Sequence, residues 1–311
     1  AEGEADLAAL TGDGSVNLRV AELSVFSGLA GTPLAGSLEA DALLASDGRG
    51  GATATLGASL EGFDAAGLDL PAALGGQLDL YAEAESAAGG AVTLHSLELG
   101  GESFSLTASG DAVPVAGSLA ASYRLEARDL SRFSALAGSE LAGSGSIAGE
   151  VSGSLEAPQV TAEIAASELA VAGQSFPEVS ASLAGENLAA APSGSAEFQA
   201  RTPYGAVTGR ATAAVEGEIL KVSEFGLETA QGEALRAEVS LPLAGGAAEG
   251  RVTGRFPSLT LASTLSGQPL KGSGEFTLDL GGAEGAQTAR LNGAFRDLQL
   301  DHGEREPPRI Q

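Results

Sequence analysis

The sequence contains no cysteine, no methionine and no tryptophan, and only two of its 311 residues are histidine. Without cysteine the chain has neither a disulfide framework nor thiol chemistry, which fits an oxidising compartment. No run of about 18 apolar residues occurs, so the sequence predicts no membrane-spanning helix. Because methionine is absent even from position 1, we expect the chain to be a segment of a longer protein.

Basic residues are also scarce, since Lys and Arg total 16 against 41 Asp and Glu, giving a formal net charge of −25. This charge argues against nucleic acid as a partner, because phosphate binding needs a basic surface. It argues equally against peripheral binding to an anionic membrane. Aromatic residues make up only 4% of the chain. We therefore expect a thin β-structure built from Ala, Leu and Val rather than a thick globular core.

Alternation of apolar and polar residues is the most abundant pattern, and it is typical of half-buried strands. It is clearest in seven runs, at 38–44, 78–85, 119–128, 160–166, 179–183, 235–241 and 275–280. Turn signals rich in Gly, Asp and Ser separate such runs, at 46–48, 89–90, 109–111, 172–174, 216–218, 245–246 and 281–282, with a loop at 190–194. Short turns of this kind indicate antiparallel neighbours, and we expect about 18 strands.

A sheet with one apolar face must fold over, close or hold something, because it cannot cover that face by itself. The sequence therefore predicts an all-β fold, an elongated antiparallel sheet folded over into a β-taco or repeating β-groove, with a few short helices. A transmembrane barrel is less well supported, since barrels carry aromatic girdles and this chain has only 3 Tyr. A parallel β-helix is also less well supported, because the internal repeat is far longer than one coil.

One sequence frame occurs three times without gaps, at Leu23–Ser37, Leu130–Ser144 and Leu259–Ser273. Each copy predicts a short helix, over 24–30, 131–137 and 260–266. We expect a hydroxyl N-cap at Ser24, Ser131 or Thr260. We expect a left-handed glycine at the end of each helix, at Gly31, Gly138 or Gly267.

The frame divides one continuous β-repeat segment, 1–311, into units of about 23–129, 130–258 and a partial 259–311. Two interpretations of the frame stay open. It is either a simple corner piece or a boundary between β-units that also covers one side of them.

Two passages resemble a known family. Residues 149–173 read GEVSGSLEAPQVTAEIAASELAVAG, and residues 202–211 read TPYGAVTGRA, followed by the strand EGEILKV at 216–222. These passages and the helix frame resemble the TamB-like family, the inner-membrane component of the translocation and assembly module, and the related AsmA-like proteins.

The resemblance implies a periplasmic segment of a Gram-negative protein that is anchored in the inner membrane. It implies a β-taco whose apolar concave face supports bridge-like lipid transfer, with phospholipid acyl chains as the ligand and no cofactor. It also implies a role in outer-membrane biogenesis, namely outer-membrane protein assembly and autotransporter secretion. The partner would be a TamA-like outer-membrane barrel, engaged through the full-length protein.

The residues that could carry catalytic chemistry form no recognisable site, so the sequence predicts that the chain is not an enzyme. His95 and His302 have neither a metal-ligand constellation nor a triad partner. The glycines of 143–149 lack the Gly-Lys-Ser/Thr ending of a phosphate loop. A scaffold, or a chaperone that pairs its strand edges with outer-membrane barrel substrates, remains the alternative function.

The candidate site is the apolar set of the alternating strands, which we predict to line a lipid groove. Its members are Leu38, Leu80, Leu94, Leu119, Tyr123, Leu125, Val160, Ile164, Val179, Leu183, Phe198, Leu235, Val239, Phe276, Leu278 and Leu280. The other interpretation of this set is a plain sheet core that is closed by its own walls.

Overall fold

The computed structural model describes residues 2–6, 11–65, 74–171, 173–202, 205–259, 263, 270–283 and 286–300. The chain is 74% strand and 6% helical, and the strand pairs whose register is described are antiparallel. These features confirm the predicted all-β antiparallel class with a few short helices. The predicted helix over 260–266 lies outside the described residues except for Ser263, and His302 also lies outside them.

The chain separates into two compact units, one of residues 1–173 and 186–190 and the other of residues 174–185 and 191–311. The strands of the first unit are β1 (Glu2–Asp6), β2 (Thr11–Val20), β3 (Leu34–Asp47), β4 (Ala52–Ala65), β5 (Gln77–Ser86), β6 (Val92–Gly101), β7 (Phe104–Val113), β8 (Ser118–Ala127), β9 (Leu141–Ser154) and β10 (Pro158–Val171). Each pairs antiparallel with the next strand in sequence, from β1 through to β10.

The second unit holds the remaining strands. They are β11 (Gln174–Glu186, of which Glu186 belongs to the first unit), β12 (Ser193–Thr202), β13 (Gly205–Glu216), β14 (Ile219–Thr229), β15 (Ala234–Pro242), β16 (Glu249–Phe256), β17 (Leu270–Ala283) and β18 (Ala286–Leu300). Strands β12 to β18 again pair antiparallel in sequence order. Six of the seven alternating runs of the sequence lie within strands, as predicted, and the run 119–128 extends one residue beyond the end of β8.

Most predicted turns are confirmed, but two are wrong. The turns at 46–48, 89–90, 216–218 and 245–246 each contain a glycine with positive φ. Residues 109–111 instead lie inside β7, and residues 281–282 lie inside β17. Gly110 and Gly282 are glycines because neighbouring atoms leave no space for a Cβ at either position. A Cβ on Gly110 would lie 2.5 Å from the Ala120 carbonyl oxygen, and one on Gly282 would collide with the Ala247 side chain.

Two short helices occur where the first two frames predicted them. Helix α1 is a 3₁₀ turn, Leu23–Phe26, continued by an α-helical turn, Ser27–Ala30. Helix α2 repeats this with Leu130–Phe133 and Ser134–Ala137. The predicted glycine ends are confirmed, because the residues after α1 and α2 are left-handed at φ +70° and +63°.

The predicted N-caps Ser24 and Ser131 are wrong, because both serines lie inside the first helical turn. At α2 the cap is Asp129, whose Oδ1 accepts from the backbone N–H of Ser131 at 3.0 Å and from its hydroxyl at 2.6 Å. The Asp129 carboxylate therefore caps α2, in the role that the sequence had predicted for the Ser131 hydroxyl. At α1 the cap residue is Glu22, which makes no side-chain capping bond.

A serine latch explains two fixed positions of the frame. The hydroxyl of Ser134 accepts from the backbone N–H of Leu141, the first residue of β9, at 3.0 Å. The same bond joins Ser27 to Leu34 at 2.9 Å and Ser263 to Leu270 at 2.8 Å. Each helical turn is thereby fastened to the strand that follows, and the bond recurs in the third frame although most of its predicted helix is not described.

A paired bulge explains a third fixed position. The frame glycines Gly36, Gly143 and Gly272 have φ of +108°, +103° and +123°. Opposite them the next strand shifts register at left-handed residues, Gly62, Glu168 and Asp297, with φ of +61°, +52° and +52°. We call the helical turn, the latch and this bulge together the repeat module. Its three copies lie at the strand pairs β3–β4, β9–β10 and β17–β18.

Candidate functional site

One face of the first unit is an uninterrupted apolar surface. We call a row of directly opposed residues across neighbouring strands a rung. Three adjacent rungs run from β2 to β10 with no charged residue. The central rung consists of Leu18, Ala40, Ala58, Leu80, Leu99, Leu106, Leu125, Ile147 and Ile164. One flanking rung consists of Val16, Ala42, Leu56, Ala82, Leu97, Ala108, Tyr123, Gly149 and Ala162. The rung beyond it consists of Gly14, Leu44, Ala54, Ala84, Leu94, Gly110, Ala121, Val151 and Val160.

The opposite face of the same strands is polar. One of its rungs consists of Asn17, Asp41, Gly57, Tyr81, Glu98, Thr107, Arg124, Ala148 and Glu163. Ion pairs lie on this face, such as Arg19 to Glu39 at 2.9 Å and Arg124 to Glu126 at 2.8 Å, with all four side chains exposed. The period-two pattern therefore separates an apolar face from a charged one, as the sequence predicted.

The second unit repeats this division over β12 to β18. Its first apolar rung consists of Phe198, Gly209, Leu227, Leu235, Gly254, Phe276 and Gly293. Its second consists of Ala196, Ala211, Phe225, Ala237, Val252, Leu278 and Leu291. Its third consists of Gly194, Ala213, Val222, Val239, Gly250, Leu280 and Ala289. None of these residues is charged or carries a polar side chain.

The structure brings most of the candidate residues together within their own units. In the first unit Leu80, Leu125 and Ile164 share the central rung, Leu94 and Val160 share another, and the remaining members lie on the same face: Leu38, Leu119 and Tyr123. In the second unit all six candidates of β12 to β17 lie on the three apolar rungs: Phe198, Leu235, Val239, Phe276, Leu278 and Leu280. Val179 and Leu183 lie on β11 at positions of equal parity, so they share one face of that strand.

The candidate side chains on these apolar faces are partly exposed to solvent. Fifteen of the sixteen candidates are of intermediate burial, and the remaining one, Leu183, is 41% exposed. Among the described residues only eight hydrophobic side chains are buried, and none of them is a candidate, although two lie on the rungs: Leu23, Ala65, Phe104, Ala200, Phe256 and Leu259 lie off the rungs, and Ala162 and Leu227 lie on them. The candidate side chains therefore contact their neighbours in the sheet without being sealed from solvent.

The repeat modules cover one end of the apolar face. In the third module Leu259 is 4% exposed and packs with Phe256 against Val207, Leu270 and Phe276. In the second module the corresponding leucine, Leu130, approaches Gly145 of β9. The first residue of the frame is thus an apolar anchor on the sheet, which favours the interpretation of the frame as a cover over a simple corner piece.

Tyr123 carries the one polar side chain on the three rungs of the first unit. Its hydroxyl donates to the backbone carbonyl of Thr161, two strands away, at 3.2 Å. The side chain crosses Gly149 to reach it, and a Cβ at Gly149 would lie 2.8 Å from the phenol oxygen. Because the hydroxyl is satisfied by the sheet itself, Tyr123 does not interrupt the apolar surface.

A shallow hollow of about 520 Å³ lies at the other end of this face, away from the helices. On the apolar face this hollow is lined by residues of strands β3 to β6, among them Leu44, Ala54, Ala84 and Val92. The volume falls within the usual range of small-molecule sites, but this hollow is an open part of the sheet surface.

The candidate set omits about half of the rung residues that are larger than alanine. Leu99, Leu106 and Ile147 form the centre of the main rung, and Leu97 with Leu99 shows the same alternation that identified Leu78 and Leu80. The signal was present but was obscured by the register shift between Leu94 and Leu97, which breaks the period of two in β6. In the second unit a register shift between Val222 and Phe225 breaks the alternation of β14, so the sequence pattern did not identify either residue.

No catalytic or metal centre emerges from the described part of the chain. His95 is exposed, and its Nε2 lies 3.3 Å from Glu85 Oε2 on the neighbouring strand. No group of three or more His, Asp or Glu residues within the described ranges could hold a metal ion. Of the helices that the structure describes, none combines the length and apolarity needed to span a bilayer.

Comparison with known proteins identifies no relative: no family model, no curated protein and no solved structure matches this chain.

Proposed function

We propose that this chain is a segment of a TamB-like, AsmA-like protein that spans the periplasm, and that its apolar face carries phospholipid acyl chains towards the outer membrane. In this role it supports the assembly of outer-membrane proteins and autotransporters, together with a TamA-like barrel engaged by the full-length protein. The observation that carries the proposal is the set of uncharged, half-exposed rungs, each crossing every strand from β2 to β10.

The length of the rungs suits an acyl chain. Strands lie about 4.8 Å apart, so a rung across nine strands is roughly 38 Å long. One leaflet contributes about half of a hydrocarbon core of roughly 30 Å. An acyl chain lying across the strands would therefore find apolar contacts along its whole length within the first unit, and could shift by one strand without meeting a charge.

The free-energy cost of moving an acyl chain depends on whether the apolar surface is continuous. Exposure of an acyl chain to water costs about 0.8 kcal/mol per CH₂, or about 12 kcal/mol for a chain of sixteen carbons. A continuous apolar surface removes most of this cost at every step, whereas a charged residue restores part of it. The half-exposure of the rung residues also supports this function, because a sealed core would leave no space for a ligand.

The test introduces a charge into the rung and compares it with the same charge on the opposite face. Ile164→Asp places a carboxylate on the central rung of β10, and Ala165→Asp places it on the adjacent, exposed polar position. Leu278→Arg and Thr277→Arg form the corresponding pair on β17. We expect the rung variants to stay folded, because a charge at a water-accessible position is solvated, but to lose lipid binding.

Two measurements decide the outcome. Circular dichroism melting reports whether each variant stays folded, and a photo-crosslinker at Ile164, Ala165, Leu278 and Thr277 reports contact with phospholipid from vesicles. Lipid adducts at the two rung positions but not at the two polar ones support the proposal. Unfolding of the rung variants without lipid adducts at either rung position would mean that the rungs are closed core, and the proposal would fail. Phospholipid-free protein that captures unfolded barrel strands would favour the chaperone instead.

A further inference from the structure

The turns at the end of the first unit away from the helices differ in polarity. Four of them are described, and they join β3 to β4, β5 to β6, β7 to β8 and β9 to β10. The first turn, 47–51, reads DGRGG, whereas the turns 87–91, 114–117 and 155–157 read AAGGA, PVAG and LEA. Glu156 is the one charged residue in the last three turns, in a chain with 41 acidic residues. We call these three turns the apolar rim.

Two large side chains of the apolar rim are exposed. Val115 is 87% exposed and Leu155 is 58% exposed. Turns favour Gly, Pro, Asn, Asp and Ser, so turn chemistry does not explain a valine and a leucine at these positions. The backbone N–H of Leu155 donates to the Gly117 carbonyl at 2.7 Å, and a Cβ at Gly90 would lie 3.7 Å from Val115 Cγ2. The three turns therefore form one apolar patch, which is typical of a surface that contacts a ligand or a partner.

A fourth rung, next to the third, lies between the apolar face and these turns. It consists of Gly12, Ser46, Ala52, Ser86, Val92, Ala112, Leu119, Gly153 and Pro158. Its two serines lie on β3 and β5, on the side of the charged turn 47–51, and its members from β6 to β10 are all apolar. The apolar rim is thus joined to the apolar face without an intervening polar side chain on that face.

The opposite end of the same face is different, because the repeat modules lie there. At the second module Arg132 of α2 forms an ion pair with Glu102 at 3.0 Å, and Leu130 of the same helix approaches the sheet at Gly145. An acyl chain that left the face at this module would have to pass a helical turn and two charges. The apolar rim presents neither obstacle.

We propose that the apolar rim is the portal at which a phospholipid enters and leaves the apolar face of the first unit. The acyl chains pass Val115 and Leu155 and cross the fourth rung to reach the other three, while the headgroup stays in water. Contact with the rim removes methylene groups from water during this passage, which lowers the barrier to transfer. This inference rests on the proposed carriage of lipid and adds to it the place of entry.

The test measures the rate of lipid uptake by the full chain. The donor is a vesicle of zwitterionic phosphatidylcholine with a self-quenched, acyl-labelled phosphatidylcholine, since an anionic vesicle would repel a chain of net charge −25. Dequenching gives the rate, and the lipid bound after separation from the vesicles gives the amount at equilibrium. Val115→Asp and Leu155→Asp place a carboxylate in the path at exposed positions, so circular dichroism melting should be unchanged.

For both rim variants we expect uptake roughly tenfold slower, because passing a charge raises the barrier for an acyl chain. The amount of lipid bound at equilibrium should stay the same, because the four rungs are unaltered. Val115→Leu, which keeps the rim apolar, should take up lipid at the rate of the unmodified chain.

Val25→Asp is the matched control, because it makes the same change at a position that is 71% exposed on α1, at the end of the repeat modules. We expect its rate of uptake to equal that of the unmodified chain. Unchanged rates in the two rim variants, equal slowing by Val25→Asp, or less lipid bound at equilibrium by either rim variant would overturn the portal and leave lipid carriage standing. Absence of uptake by the unmodified chain would overturn lipid carriage itself, and the portal with it.

Discussion

Gly143 in the second repeat module provides the sharpest test of the structural reasoning. Its φ of +103° lies in a region that side chains other than glycine rarely adopt. A Cβ added there would lie 2.6 Å from the carbonyl oxygens of both Ser167 and Glu168 on β10. Backbone strain costs about 1–3 kcal/mol and overpacking against backbone about as much again. We expect Gly143→Ala to lower the free energy of unfolding by about 3–4 kcal/mol.

A second glycine of the same frame is the matched control. Gly138 has φ +63°, but a Cβ there would meet no atom within 4 Å. Gly138→Ala therefore carries the cost of the left-handed conformation alone, which is about 1–2 kcal/mol. Both substitutions add one methyl group within a single frame, so the difference between them isolates the close approach of β9 and β10.

Urea denaturation followed by circular dichroism gives the change in stability of each variant. Hydrogen exchange of 141–171 shows where the loss occurs, because the paired bulge connects β9 and β10. For Gly143→Ala we expect faster exchange in both strands, and for Gly138→Ala a change near the end of α2. Equal costs for the two variants, or a neutral Gly143→Ala, would refute the claim that the bulge needs a glycine for space.

Three further predictions concern other parts of the fold. Ser134→Ala removes the latch to β9, which should cost about 1 kcal/mol and accelerate exchange of the Leu141 amide proton; an unchanged rate would mean that the latch does not hold the strand. Hydrogen bonds from the side chain and the backbone N–H of Ser131 lower the pKa of Asp129 below its ordinary 3.8, so the stabilisation is present above that pH and is lost as the pH falls through the lowered value. NMR titration should show the lowered pKa, and Asp129→Asn should remove this acid-dependent part of the loss of stability. Gly254→Ala should lower the melting temperature, because the ring of Phe276 lies over Gly254 and a Cβ would collide with it.

The sequence was sufficient for the fold class because two local signals were strong. Period-two alternation identified the strands and their two faces, and the frame located α1 and α2 with errors of one residue. The frame did not identify Asp129 as the cap of α2, because both aspartate and serine are favoured N-cap residues and Ser131 lies only two positions later. The sequence also placed turns at Gly110 and Gly282, because glycine required by a crowded neighbour looks the same in sequence as glycine required by a turn.

The candidate surface was predicted only in part, and for a physical reason. Each register shift exchanges the face on which subsequent residues lie, so alternation must be read separately on either side of it. Leu97 and Leu99 were missed after such a shift in β6, whereas Leu119, Tyr123 and Leu125 lie in β8, whose registers contain none.

The repeat module has a consequence for how such a chain can vary in length. In strand order β9 comes six places after β3, an even number, and every pairing between them is antiparallel. An antiparallel strand reverses the chain, so only whole hairpins can be inserted between modules if each helical turn is to precede a strand of the same direction. The separation of the first two modules can therefore change only in steps of one hairpin if both helical turns are to keep the same direction.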